Sequence, residues 1–364
     1  MLKIILSLSF LTLSFFPSIV LAQHDFDSLY DASVEFRKSF EAIQDTFDLF
    51  GNESVLEIAI ISDFKQMNRQ KDTLHYQDAL LEYVLNDTII VHREIGIKAR
   101  GNYRRETCSY PPLKLNFPQK SARLEWLQTF DKMKMVGNCK AGVTYEQYLL
   151  SEYYVYKMFN ILTDQSFRVR LLHVTYQDSG RKDKKSRQLR YAFIIEPQEA
   201  VAERLNSYLL NTMNLSYGVF QPENVDLIAV FQYMIGNTDW SIPAQHNMKI
   251  LKSKNPNIFT PVAVPYDFDY CGFVNPPYAI PSEILPIENI TERLYRGPCR
   301  EDVGEYDPIL DKFMQKKNDL YALIENSEYL NKNSKKHMIS YLDSFYQIIT
   351  NPKRVNAALS ANCE

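Results

Sequence analysis

Residues 231–278 read FQYMIGNTDWSIPAQHNMKILKSKNPNIFTPVAVPYDFDYCGFVNPPY and set Asp239, Asn247, Asp267 and Asp269 among apolar runs. Residues 248–251 and 260–264 have the apolar, β-branched character of short strands. Asn247 directly precedes the first, and Asp267 closely follows the second. If the two strands pair, Asn247, Asp267 and Asp239 meet at one end of a small sheet. Carboxylate and amide oxygens gathered there suit a hard cation such as Mg2+. An Asp, an Asn, then Asp-Phe-x after a strand are also the parts of a phosphoryl-transfer site. Taken singly, each is an ordinary turn former that bonds to its own backbone. Their clustering around one hairpin favours a metal or phosphate site over four separate turns. His246, beside Asn247, reads either as a structural hydrogen-bonder or as a ligand.

Outward from this stretch, composition sets the bounds. The chain has 364 residues, 45% apolar and 13% aromatic, with net charge −3. That suffices for a substantial core in one large domain or two lobes. No basic stripe marks a nucleic-acid binder; the basic run 181–187 reads as a solvated hairpin loop. Residues 1–22 have the form of a signal peptide: Lys3, an apolar run over 4–20, and Val20-Leu21-Ala22 before Gln23. An uncleaved anchor is the alternative. The expected location is therefore exported, periplasmic or extracellular, with no membrane span after cleavage. In such a compartment the five cysteines allow one or two disulfides. The local pairings are Cys108 with Cys139 and Cys271 with Cys299, which leaves Cys363 free.

Along the chain, residues 26–50 read as a helix and 55–61 as a strand. A hairpin over 79–85 and 88–91 turns at Asn86-Asp87. Strands follow at 95–99 and 113–117, joined by RGNYRRETCSYPP (100–112), a basic loop that either covers a phosphate or is a plain surface hairpin. In 132–136, Lys132 and Lys134 share one face, Met133 and Met135 the other. A helix over 144–162 opens with a capping box, Thr144 and Gln147. Its apolar stripe carries Glu152, which is either paired with the preceding lysines or at the stripe's edge in water. Residues 167–176 and 189–195 read as paired strands. Residues 205–214, 227–235, 308–323, 334–349 and 352–361 read as helices. Strands with one helix first, then helices around a hairpin, give an α+β chain in two lobes, split near Pro197. The expected domains are an extension (23–54), a β-rich lobe with one long helix (55–197) and a mainly helical lobe bearing the hairpin (198–364).

This order of parts resembles an atypical protein kinase, and most of all the spore-coat CotH kinase-like family; a HipA-like kinase is a more distant likeness. Arg100-Gly101-Asn102 with the strand Leu113-Lys114-Leu115-Asn116-Phe117 is similar to that family's RGN loop and lysine strand. Gly236-Asn237-Thr238-Asp239-Trp240 is similar to its Asn-x-Asp catalytic loop, and Tyr266-Asp267-Phe268-Asp269 to its aromatic-Asp-x-Asp motif. The resemblance implies a two-lobed protein-kinase-like fold and a phosphotransferase using ATP with Mg2+ or Mn2+ on a protein or small-molecule hydroxyl. It implies Asp239 as catalytic residue, and Asn247, Asp267 and Asp269 as metal ligands. Lys134, or its rival Lys114, would contact phosphates, with Lys134 paired to Glu152. Arg100, Gly101 and Asn102 would cover the phosphates, and Glu196 would lie near the adenine. A non-catalytic kinase-fold envelope protein and a metal-dependent phosphoester hydrolase are the alternatives.

Overall fold

The computed structural model describes residues 2–6, 19–21, 49–51, 53–70, 74–85, 89–101, 103–108, 111–117, 131–182, 186–212 and 214–363. Most of the expected helix over 26–50, the Asn86-Asp87 turn and Asn102 lie outside these residues. The chain forms two compact units. One comprises Met1–Gly142 and Val169–Pro197, the other Val143–Arg168 and Gln198–Glu364.

The first unit is a closed barrel, which overturns the expected two-lobed kinase-like fold. Two short strands precede the barrel: β1 (Leu2–Leu6) pairs with the start of β5, and β2 (Ile19–Leu21) pairs with β1. The barrel strands are β3 (Leu56–Ser62), β4 (Gln77–Leu85), β5 (Ile89–Ala99), β6 (Leu113–Asn116), β7 (Lys132–Gly137), β8 (Val169–Asp178) and β9 (Arg187–Ile195). They are ordered β5-β4-β3-β8-β9-β7-β6, and β6 returns to β5. Two pairings close the ring. β3 runs parallel to β8, from Leu56↔Leu172 to Ser62↔Asp178. β5 is long enough to pair with β4 along its length and with β6 through Gly96–Ala99. Closure removes the exposed edges an open sheet would carry.

Alternation along each strand fills the interior: Ile58 and Ile60, Leu81 and Tyr83, Ile95 and Ile97, Leu113 and Leu115, Met133 and Met135, Leu172 and Val174, Ala192 and Ile194. Helix α1 (Phe64–Gln70) adds Phe64 and Met67 to this core. The helical turn α2 (Tyr103–Thr107) is fixed by a disulfide from Cys108 to Cys139, as expected.

The second unit is not simply helical, because it has its own sheet, ordered β10-β11-β12. Strand β10 (Ser207–Leu210) lies where a helix was expected. It pairs with β11 (Met248–Ser253), which pairs with β12 (Val262–Pro265). Helix α3 (Val143–Leu162) is buried well beyond a single stripe, and Glu152 is fully buried. After the short α4 (Gln198–Arg204), helix α5 (Pro222–Ile235) is buried at every position from Asn224 onward. Phe159, Phe231 and Phe268 pack together, with ring centroids 4.6–6.4 Å apart. Helices α6 (Asp307–Glu325), α7 (Lys332–Ile349) and α8 (Pro352–Ser360) follow. Cys299 bonds to Cys363, and Cys271 is the buried free thiol, so the expected Cys271–Cys299 pair does not form. Among the described residues no helix is long and apolar enough to cross a membrane.

Candidate metal centre

The site grows from the end of α5. Gly236 ends that helix with φ +65°, a left-handed conformation that glycine adopts without a steric penalty. Its carbonyl accepts from Gly272 N at 3.1 Å, and Asn237 bridges Cys271. The loop holding Asp239 is thereby fixed to the chain just after Asp269. Asn237 Oδ1 accepts from Asp239 N at 2.8 Å, a turn of the kind that Asn favours.

The β11–β12 hairpin supplies the rest. Met248 pairs with Pro265, and Tyr266 N donates to Asn247 O at 3.0 Å. Asn247 and Asp267 thus leave the same end of the sheet, as the strand spacing predicts. Both have positive φ, +54° and +67°. Asn247 Nδ2 donates to the backbone oxygen of Asp239 at 2.7 Å and to its Oδ2 at 3.0 Å. His246 Nε2 stands 2.7 Å from Asp239 Oδ1. Asp239 is therefore held through both carboxylate oxygens, yet its side chain remains 44% exposed.

Three carboxylates converge where Asp267 leaves the hairpin. One oxygen each from Glu152, Asp267 and Asp269 lies within 4.8 Å of the others. Glu152 and Tyr156 are one turn apart on α3, so both face the same way. The Tyr156 hydroxyl accepts from Asp267 N at 2.8 Å and so fixes the left-handed turn that aims Asp267. Asp269 Oδ2 accepts from the Tyr278 hydroxyl at 2.9 Å. The donor set fits a divalent cation. Adjacent oxygens around Mg2+ stand about 3 Å apart and opposite ones about 4.2 Å, so the three carboxylates would draw together on binding one ion. Three hard oxygen donors also match the preference of Mg2+ and Mn2+.

The remaining expected site residues belong to the barrel unit. Arg100 N donates to Pro112 O at 2.8 Å, closing the mouth of the basic loop, and Gly101 has φ +83°. Lys114 pairs with Lys134 across β6 and β7, and with Lys98 across β6 and β5. Alternation puts all three on the outer face, because their strand neighbours fill the interior. Glu196 is buried directly after β9. Sequence reasoning did not place Glu152 among the carboxylates. Its four-residue spacing from Tyr156 was the available signal. Nothing in the sequence pointed to Tyr278. No protein-family model matches this chain, and no curated protein sequence matches it, so the CotH-like resemblance rests on these motifs alone.

Proposed function

We propose that the chain is an exported phosphotransferase that uses a divalent cation and ATP to phosphorylate a hydroxyl group. The convergence of Glu152, Asp267 and Asp269 at the hairpin end that also carries Asn247, the partner of an exposed and doubly held Asp239, carries this reading. Asp267, Asp269 and Glu152 would hold the cation, and Asn247, whose amide nitrogen is committed to Asp239, would offer its Oδ1 as a further ligand. A bound Mg2+ or Mn2+ supplies charge neutralisation at phosphate oxygens. Asp239 accepts the proton of the acceptor hydroxyl at Oδ1 or Oδ2. His246 and Asn247 hold that carboxylate in one orientation, so little reorganisation accompanies proton transfer. The likeness of residues 236–240 and 266–269 to CotH kinase-like motifs supports a nucleotide as phosphoryl donor.

The test is thermal unfolding with ATP and either Mg2+ or Mn2+, followed by radiolabel transfer from γ-labelled ATP. Wild type should melt higher with ATP and metal together, and Asp267→Ala should lose the shift. Asp239→Asn should keep the shift but lose transfer by about 10²–10⁴-fold. No shift with either metal sinks the proposal. A shift without turnover leaves a binding protein, and release of phosphate to water alone indicates a hydrolase.

A further inference from the structure

The β11–β12 hairpin has two chemically opposite ends. Asn247 and Asp267 leave one end; the loop 254–261 leaves the other, about 20 Å away along six residues of β11. That loop folds on itself. Asn255 N donates to Ser253 Oγ at 3.1 Å, Asn257 N to Asn255 Oδ1 at 3.0 Å, and Ile258 N to Asn255 O at 3.1 Å. The turn leaves Ile258 and Phe259 in solvent, Phe259 at 77% exposure. On the neighbouring strand Tyr208, opposite Lys252, is 60% exposed. Lys254 Nζ sits 5.4 Å from the Tyr208 ring centroid. From 248 to 265 the chain carries Lys249, Lys252 and Lys254 and no acidic residue. The flanking helices α4 and α5 bring Glu203 and Glu223, with Arg204 beside the former.

We propose that this tip docks on an anionic lipid bilayer. A self-supported turn with an exposed Phe and Ile, a neighbouring Tyr and two exposed lysines matches the chemistry of the bilayer interface. Aromatic rings settle at the headgroup level, aliphatic chains reach the acyl boundary, and lysines meet anionic headgroups. The chain's net charge of −3 does not oppose this, because charges act over about 10 Å at 0.1 M salt. The acidic site lies at the opposite end of the sheet. The proposal is independent of phosphoryl transfer.

The apolar residues near the start of the full chain can bind lipid themselves, so the readout must be local. Asn257→Cys labelled with an environment-sensitive dye reports on the tip, and Cys271 is buried and does not label in the folded protein. Equimolar phosphatidylcholine–phosphatidylglycerol vesicles should blue-shift and brighten that dye, and leave a Glu328→Cys control unchanged. Lys252→Gln with Lys254→Gln should weaken the response about thirtyfold, from roughly fivefold per lysine. Phe259→Asp should abolish it while the melting temperature holds. Unchanged emission at 257 overturns the proposal, as a protein partner at this tip would give. An equal response on pure phosphatidylcholine overturns the anionic-lipid recognition.

Discussion

Arg93 sits inside the barrel at 1% exposure, between core residues Val91 and Ile95. Its guanidinium carbon lies 4.7 Å from the Phe117 ring centroid, and its Nε and Nη1 have no hydrogen-bond partner among the described residues. Burial lowers its pKa, and Tyr83 opposes that shift only in part. A buried charge with so little compensation is destabilising, and an apolar side chain of similar volume is often neutral or better. Arg93→Met should therefore raise the unfolding free energy by about 1–4 kcal/mol, or leave it unchanged, in urea titration. A loss of stability would show that the guanidinium serves a partner. Arg93 also explains a misreading. It breaks the apolar alternation, so residues 88–91 and 95–99 read as separate strands, whereas Ile89–Ala99 is one strand. Cys271 gives a second test at this scale. Burial raises its thiol pKa strongly, and its Sγ donates to Phe268 O. Without reductant, a thiol reagent should find no reactive cysteine in the folded chain and one after denaturation.

Among the elements, α3 orients the candidate site through one hydrogen bond. Tyr156→Phe leaves the Asp267 N–H without its acceptor and loosens the turn at φ +67°. Metal affinity should fall about tenfold, as expected when a ligand's supporting group is lost. Isothermal titration with Mn2+ measures this, and an unchanged affinity would mean that the turn is set by the hairpin alone. The end of α5 gives a complementary case. A Cβ on Gly236 would strike the Tyr341 hydroxyl, and φ +65° is unfavourable for alanine. Gly236→Ala should reduce stability by about 2 kcal/mol or more, read by denaturant titration. The hairpin and the long helix were legible because their signals are local, two short apolar runs and a helical apolar period. The expected Thr144–Gln147 capping box is not what starts the helix, since α3 begins at Val143 and Gln147 donates to Tyr329 O and accepts from Asn331 N. Strand β10 was not. Its Leu-rich stretch has helical propensity, but pairing of Ser207–Leu210 with β11 overrides that weak preference.

For the molecule as a whole, what decides the fold is non-local, which is why the barrel was missed. The parallel β3–β8 pairing joins positions more than a hundred residues apart, and periodicity within either strand does not name its partner. The same limit applied to the cysteines. Proximity in sequence favoured Cys271–Cys299, whereas Cys299 bonds to Cys363 across 64 positions. Each disulfide lies within one unit: Cys108–Cys139 in the barrel, Cys299–Cys363 in the second unit. A cross-link of that span restricts the unfolded chain by about 4 kcal/mol in the entropic account. The double variant Cys299→Ser, Cys363→Ser should thus lose about 2–4 kcal/mol, and the loss should be confined to the second unit. Hydrogen exchange resolves the location. Amides of α6, α7 and β11 should exchange faster, while those of β4, β5 and β9 keep their protection. Equal loss of protection in the barrel strands would mean that the two units unfold as one, and the division of the chain into separate cores would have to be abandoned.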